Sequence, residues 1–148
     1  MSEIDPENGD PELRVALGQV RVLSTDAQTG RTAIEFQARP EMCHSGGVVQ
    51  GGFIAGWLDS AMSYAAMARG GGEMSPMTLE LKVSYFQPVW PGFVLAEGWV
   101  ERYGRSTAFL EGRLLNAAGE VLAKATATAR LLPRARVEAR AAKSAAQA

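Results

Sequence analysis

The sequence of 148 residues contains only one cysteine, Cys43, and one histidine, His44. A single cysteine excludes an intrachain disulfide, and with one histidine we expect no metal site of the His/Cys type within one chain. Neither sign of charge dominates, because 15 Lys and Arg residues oppose 16 Asp and Glu residues. The net charge of −1 therefore gives no electrostatic reason to expect nucleic acid or an anionic membrane as a partner.

Long hydrophobic runs are also missing. No apolar stretch reaches the roughly 18 residues that a membrane-spanning helix needs. The acidic first ten residues lack the apolar core of a secretory signal. Hydrophobic residues make up 47% of the chain and charged residues 21%, which is an ordinary globular balance. We therefore expect a cytoplasmic protein with one folded domain.

The two ends of the chain differ from the rest in charge. Residues 1–12 hold five acidic residues and no basic one, and their two prolines and one glycine predict a flexible leader. Residues 134–148 hold four basic residues, one acidic residue and seven alanines, and form either a surface helix or a loose tail. The folded domain is then expected over residues 13–133.

The hydrophobic period changes in an orderly way inside this domain. Apolar residues at 15–23 and 33–36 indicate two strands joined by a turn. Residues 42–52, with four glycines, are expected to form a loop, and residues 53–69 have the period of a helix that three glycines end. Four more strands are predicted near residues 78–85, 93–102, 106–116 and 120–131.

The predicted order is thus strand, strand, helix and four strands in a meander. One long helix with a largely antiparallel sheet makes an α+β pair of layers. We expect a curved antiparallel sheet of about six strands wrapped around one long central helix.

The predicted helix is apolar on nearly all sides, and Asp59 is its only carboxylate. An ionised side chain in such surroundings costs several kcal/mol unless it is paired or faces a cavity. The nearest basic residue in the helix, Arg69, is ten positions away. Two interpretations stay open: Asp59 hydrogen-bonds Ser60, Ser63 or a strand hydroxyl, or it has a functional role.

The loop before this helix has the features of an oxyanion site. Gln50, Gly51 and Gly52 lead directly into the helix, so its first N–H groups are unpaired and positively polarised. Glycine lets a ligand oxygen approach the backbone closely, which favours binding of an acyl carbonyl. His44 and Gln50 can add polar contacts. Glycine-rich loops of this kind also serve simply as helix caps.

The spacing of these groups predicts a shared site. Eight positions separate Gly51 from Asp59, which is about 12 Å along a helix axis. The oxyanion donors of one chain therefore cannot reach a carbon that its own Asp59 attacks. If both groups act together, one of them comes from another subunit, which predicts a two-fold dimer with two sites across its interface.

These residues resemble the hotdog-fold acyl-CoA thioesterases, specifically the phenylacetate-degradation (PaaI-like) group. That group's pattern is roughly Asn-x5-His-Gly-Gly-x6-Asp at the start of the central helix. Here the corresponding residues are His44-x5-Gln50-Gly51-Gly52-x6-Asp59. Both departures, His44 for Asn and Gln50 for His, keep hydrogen-bonding groups, and they leave open which side chain touches the carbonyl.

Later segments carry the resemblance as well. Residues 78–88 are similar to the family's third strand with its Tyr-x-x-Pro ending, and residues 102–106 and 119–129 are similar to its last hairpins. The resemblance covers about residues 13–132.

The resemblance implies hydrolysis of a medium-chain or aromatic acyl-CoA to the free acid and coenzyme A. Asp59 would be the general base or nucleophile that activates water. The backbone N–H groups of Gly51 and Gly52 that polarise the thioester carbonyl would belong to the partner subunit. Thr78 falls where the family often has a Ser or Thr that orients the water. However, strict alternation along the strand would group Thr78 with Glu80 and Lys82, opposite the leucines.

No separate cofactor is expected, because coenzyme A is part of the substrate, and an acyl-carrier-protein thioester remains an alternative carrier. Since coenzyme A carries phosphates, basic side chains should rim the entrance, and the candidates in one turn are Arg102, Arg105 and Ser106. Exposed arginines in a turn can also be merely solvated. Four apolar side chains either shape the acyl pocket or belong to the core: Phe53, Trp57, Met62 and Tyr64.

The resemblance also implies a homodimer, with a tetramer built as a dimer of dimers as the alternative. Two other functions stay open. A hotdog dehydratase or hydratase needs a His and a carboxylate set for proton transfer, whereas His44 lies fifteen residues before Asp59 in the loop. An acyl-CoA-binding protein would use the same fold without turnover.

Overall fold

The structure is a computed structural model that describes residues 10–148. The elements in chain order are α1 (Pro11–Leu17), β1 (Gln19–Asp26), β2 (Arg31–Ala38), α2 (Gly51–Arg69), β3 (Met74–Tyr85), β4 (Gly92–Tyr103), β5 (Thr107–Leu115), β6 (Val121–Pro133) and α3 (Arg134–Ala146). A single 3-10 turn, Pro40–Met42, follows β2. Most of the predicted leader, residues 1–9, lies outside the described residues. No helix in the described part of the chain combines the length and the apolarity needed to cross a membrane.

The six strands form one antiparallel sheet in the order β1-β2-β4-β5-β6-β3. Helix α2 crosses one face of this sheet and contacts every strand. A six-stranded sheet in which every strand contacts the same helix must curve, because a flat sheet would touch the helix along only one line. The predicted α+β architecture, with the sheet curved around one long helix as in the hotdog fold, is confirmed.

The pairing of β3 differs from the prediction of a four-strand meander. β3 pairs with β6 and not with β4, so only β4, β5 and β6 follow one another as neighbours. The reason is that β4 is already hydrogen-bonded along both edges, to β2 and to β5. β3 instead pairs with the free edge of β6 and becomes an edge strand whose outer edge pairs with no other strand of residues 10–148.

Helix α1 replaces the first part of the predicted first strand. Val15 and Leu17 lie in this helix, and the strand begins after Gly18. The Asp10 side chain caps the helix, and Pro11 occupies the first turn, where the missing proline N–H costs no hydrogen bond. The last two residues of the predicted flexible leader, residues 11 and 12, thus belong to this helix.

One other boundary differs from the prediction, and the C-terminal tail takes one of its two expected forms, the surface helix. Helix α2 begins at Gly51, so the predicted loop ends at Gln50 and the two glycines belong to the first helical turn. The basic tail forms helix α3, in which no residue is buried.

Helix α2 packs against the sheet at very short range. A Cβ atom at Gly98 of β4 would overlap the backbone of Ala61, so only glycine allows this approach. Trp57 and Met62 are 0% exposed and belong to the core. Phe53 is partly buried and packs against that core. The sequence predicts a helix that is apolar on nearly all sides. In the structure the sheet covers one side of α2, and the opposite side is half-exposed.

Replacement of Gly98 tests this close approach. Gly98→Ala should lower the free energy of unfolding by about 3 kcal/mol, because the added methyl group overpacks a backbone contact. The matched control is Gly56→Ala, where the nearest atom to the new Cβ is a Leu17 methyl carbon at 3.3 Å that can move. Alanine is favoured in a helix by about 1 kcal/mol, so this control should be as stable as the wild type or more stable. Equal urea midpoints for Gly98→Ala and the wild type would contradict the packing argument.

Candidate active site

The first turn of α2 is held by the loop that precedes it. The Gln50 N–H donates to the Met42 carbonyl oxygen at 2.9 Å, and the Phe53 N–H donates to the Gln50 carbonyl oxygen at 3.0 Å. The Gln50 side-chain oxygen accepts the Gly52 N–H at 2.8 Å. These bonds satisfy three N–H groups that the start of a helix leaves without an intrahelical partner.

The Gly51 N–H is the exception in this turn. No acceptor for it exists among residues 10–148. It lies at the N-terminal end of a helix of 19 residues, where the helix dipole favours negative charge. Because Gln50 already occupies the Gly52 N–H, Gly51 supplies the free donor of the predicted glycine pair.

An apolar hollow of about 380 Å³ lies beside Gly51. Its walls come from the loop before α2, the first turn of α2 and the segment that follows β3, and no charged side chain lines it. The apolar wall residues include Val49, Ile54, Phe86, Pro88 and Val89. Its volume falls in the range of small-molecule sites, about 300–1,000 Å³. The hollow adjoins Gly51, and Asp59 does not line it.

Tyr85 is a wall residue of this hollow to which the sequence analysis assigns no role. Its hydroxyl donates to the Gly51 carbonyl oxygen at 2.7 Å. Its ring also lies close to Gly51, since a Cβ there would be 3.1 Å from the Tyr85 hydroxyl oxygen. The Tyr-x-x-Pro ending of the third strand is the signal in the sequence that could have drawn attention to it.

Asp59 lies in the middle of α2 and is half-buried. Its Oδ1 accepts a hydrogen bond from the Thr78 hydroxyl at 2.8 Å. The strand hydroxyl considered as a partner for Asp59 is therefore Thr78. Among the described residues no basic side chain forms an ion pair with Asp59, and no group bonds its Oδ2. One carboxylate oxygen is thus held while the other stays available.

Thr78 reaches Asp59 because β3 is irregular at this point. Thr78 and Glu80 pair with adjacent residues of β6, so Leu79 is an extra residue in a β-bulge. The expectation that Thr78 shares a face with Glu80 and Lys82 is therefore wrong. The bulge shifts the alternation by one, which turns Thr78 to the helix side together with Leu81.

His44 is exposed and its contacts lie within its own loop. Its Nδ1 accepts the Gly46 N–H at 3.2 Å, and its backbone N–H donates to the Val48 carbonyl oxygen at 3.0 Å. The Cys43 thiol contacts the Arg39 carbonyl oxygen at 3.7 Å, so the two side chains have separate partners. A role for His44 at the carbonyl stays a prediction beside the simpler one of an ordinary loop histidine.

The predicted phosphate-binding residues lie at the other end of α2, and all three are exposed: Arg102, Arg105 and Ser106. The Arg69 guanidinium stacks over the neighbouring Tyr103 ring at 5.6 Å, which places this turn beside the last residue of α2. Burial raises the pKa of the Tyr103 phenol, and the Arg69 charge opposes this rise. The distance to Gly51 along the helix axis is about 27 Å. One chain alone does not bring these residues to Gly51.

A family model described as Thioesterase superfamily matches residues 46–123, which include Gly51, Asp59 and Thr78. A protein of Saccharolobus solfataricus named "Putative esterase" is 32% identical to this chain over 98 residues. That alignment covers 66% of this chain and 69% of the relative.

Solved structures show the same fold. A phenylacetic acid degradation-related protein of Ralstonia eutropha JMP134 is 28% identical, with a TM-score of 0.77 over 84% of this chain and 92% of its own. A protein of Streptococcus mutans UA159, bound to acetyl CoA, has a TM-score of 0.69 over 76% of this chain and 87% of its own. At 19% identity, that second likeness establishes the fold alone.

Removal of the Gln50 side chain tests its part in the first turn of α2. Gln50→Ala should lower the free energy of unfolding by about 1 kcal/mol, because the Gly52 N–H loses its cap. Urea denaturation measures this change. The control is Gln28→Ala, since the Gln28 side chain in the β1–β2 turn is exposed and caps no helix. If the two variants lose the same stability, Gln50 is not the cap.

Proposed function

The chain belongs to the thioesterase superfamily, and we propose that it hydrolyses an acyl-CoA thioester to the free acid and coenzyme A. The observation that carries this proposal is the state of Asp59. It is a half-buried carboxylate with no ion pair among the described residues, one oxygen held by Thr78 and the other available. A carboxylate that is positioned but not neutralised is suited to act on water or on a carbonyl carbon.

The proposed reaction needs no serine–histidine pair. A thioester lacks the resonance stabilisation of an amide and has a good leaving thiolate, so one carboxylate and a polarised carbonyl suffice. Asp59 Oδ2 takes a proton from water while the water oxygen attacks the carbonyl carbon, and the Gly51 N–H of the partner subunit stabilises the resulting oxyanion. Collapse of this intermediate expels the thiolate of coenzyme A. In the alternative route Asp59 itself attacks and water then hydrolyses the anhydride.

The Thr78 hydroxyl has a positioning role in this mechanism. Its one proton is donated to Asp59 Oδ1, so it fixes the rotation of the carboxylate and leaves Oδ2 for the water. Its oxygen can still accept a hydrogen bond from that water.

A dimer would bring together the carboxylate and the N–H donor that one chain holds apart. Asp59, Ser60 and Ser63 lie on the half-exposed side of α2, next to the unpaired outer edge of β3. Leu79, in the bulge of this strand, is 65% exposed. Unpaired strand edges readily bind another strand, and pairing two β3 edges about a two-fold axis would cover these residues. It would also bring Asp59 of one chain toward Gly51 of the other.

The acyl group is proposed to occupy the hollow beside Gly51. Its lining has no charged side chain, which favours an uncharged medium-chain or aromatic acyl group. Coenzyme A as the carrier is supported by the Streptococcus mutans protein of this fold, which is bound to acetyl CoA. Arg102, Arg105 and Ser106 remain the proposed contacts for its phosphates.

The first test replaces the proposed catalytic carboxylate. Asp59→Asn should lower kcat by at least about a hundredfold, because general base catalysis contributes 10²–10⁴-fold, while the urea midpoint stays close to that of the wild type. Thiol release from a panel of medium-chain and aromatic CoA esters measures the rate. The matched control is Glu80→Gln, an exposed carboxylate on the outer face of β3, which should keep the wild-type rate.

Wild-type rates in Asp59→Asn would show that the base is assigned wrongly. Binding of CoA esters by the wild type without any thiol release would instead identify a non-catalytic binding protein.

The second test asks whether each site is shared between subunits. Gly51→Pro removes the proposed donor and keeps the helix start, because proline fits the first position of a helix and the extended Gln50 tolerates a following proline. Its Cβ also requires the exposed Tyr85 side chain to shift by a few tenths of an ångström. Gly51→Pro and Asp59→Asn subunits are co-expressed with different tags, and the hybrid is purified through both. One site of a hybrid dimer then has both groups intact, so about half of the wild-type activity should return. A hybrid as inactive as its parents would mean that each site lies within one chain.

A further inference from the structure

The backbone at Gly51 has to satisfy two opposing requirements. A side chain is crowded there, because a Cβ would lie 3.1 Å from the Tyr85 hydroxyl oxygen and 3.2 Å from its Cζ, so the Tyr85 ring would have to move by a few tenths of an ångström. Glycine, however, has more backbone freedom than any other residue, so a glycine N–H keeps one direction only if its surroundings restrain it.

Restraints act on both sides of Gly51. On the N-terminal side, Gln50 is fixed by its N–H bond to Met42 and by its side-chain bond to Gly52. On the C-terminal side, the Gly51 carbonyl oxygen accepts the Tyr85 hydroxyl at 2.7 Å. Tyr85 is the last residue of β3 and pairs with Ala123 of β6, so this bond ties the helix start directly to the sheet.

We propose that Tyr85 is a positioning residue for the Gly51 N–H, an inference that rests on the proposed thioesterase function. The hydroxyl bond holds the Gly51–Gly52 peptide group, and the ring lies beside the Gly51 Cα. The Gln50–Gly51 peptide group, which carries the N–H, is held through the Gln50 carbonyl oxygen, which accepts the Phe53 N–H at 3.0 Å. The free N–H then meets the developing oxyanion at the required distance without further rearrangement. Preorganised donors are effective in catalysis because the cost of orienting them is met during folding.

Two features distinguish this role from substrate binding and from a purely structural role. A tyrosine hydroxyl has a single proton, and here it is donated to Gly51, so it cannot also be donated to a substrate carbonyl. Tyr85 is also 51% exposed, and a hydrogen bond in contact with water contributes little to global stability. Loss of the hydroxyl should therefore change kcat more than KM or the unfolding midpoint.

The test removes the hydroxyl and keeps the ring. Tyr85→Phe should lower kcat about tenfold, because a small displacement of a catalytic group costs rate, while KM stays within about twofold of the wild type. The matched control is Tyr103→Phe at the other end of α2, whose hydroxyl is buried without a hydrogen-bond partner in the described residues. This control should keep the wild-type kcat.

A double variant shows whether Tyr85 acts through Gly51. In the Gly51→Pro background the N–H is absent, so adding Tyr85→Phe should reduce the residual kcat by less than about twofold. A further tenfold loss would mean that Tyr85 acts independently of Gly51 and would overturn the proposal. An unchanged kcat in the single variant, or an effect on KM alone, would overturn it as well.

A measurement that needs no turnover separates this proposal from the proposed function. Nitrogen-15 relaxation of the Gly51 amide should show a lower order parameter in Tyr85→Phe than in the wild type and in Tyr103→Phe. If the wild type hydrolyses no thioester, the proposed function fails, and this measurement alone decides whether Tyr85 restrains Gly51. Equal order parameters in the three proteins would refute the restraint.

Discussion

The contact between the backbones of α2 and β4 is the constraint on which the rest of the structure depends. It exists because Gly98 has no side chain that would collide with Ala61. With the helix held so close to the sheet, its apolar side chains fill the core, and its residues reach side chains of the edge strand β3. A helix lifted from the sheet by one methyl group would lose these contacts, because the two hydrogen bonds would lengthen past the usual O–H···O range of about 2.5–3.0 Å.

Two side chains of β3 hold the two chemical groups of α2 in the same way. Thr78 binds one oxygen of Asp59 and leaves the other available, and Tyr85 binds the Gly51 carbonyl oxygen and leaves the N–H available. Each of these two groups is therefore restrained on one side and open on the other. β3 can do this because it lies at the edge of the sheet, where its helix-facing side chains are less enclosed by neighbouring strands.

The same edge position explains why the proposed site needs two chains. Asp59 and Gly51 are held apart by the rigid length of α2, so one helix cannot bring them together. The open edge of β3 and the half-exposed side of α2 occur on the same part of the molecule, where a second copy would cover both. In the proposed dimer, the apolar hollow beside Gly51 of one chain lies near Asp59 of the other.

Much of this arrangement follows from local patterns. The period of the apolar residues predicts α2, Asp59 stands out as its solitary carboxylate, and the glycines before it mark the free N–H, because all three depend on neighbours close in sequence. Strand positions and turns are predictable for the same reason. The helix that begins at Pro11 does not follow from the sequence pattern, because proline is compatible with both a loop and a first helical turn.

The remaining features come from contacts between distant segments. Pairing of β3 with β6, the bulge at Leu79 and the bond from Tyr85 to Gly51 each join residues far apart in the chain. The alternation of side chains along a strand does not reveal where an extra residue will be inserted. The side of the sheet on which Thr78 lies is therefore decided only when β3 pairs with β6. The sequence alone determined which groups are available for chemistry, and the tertiary structure decided which way they face, since direction depends on packing between elements.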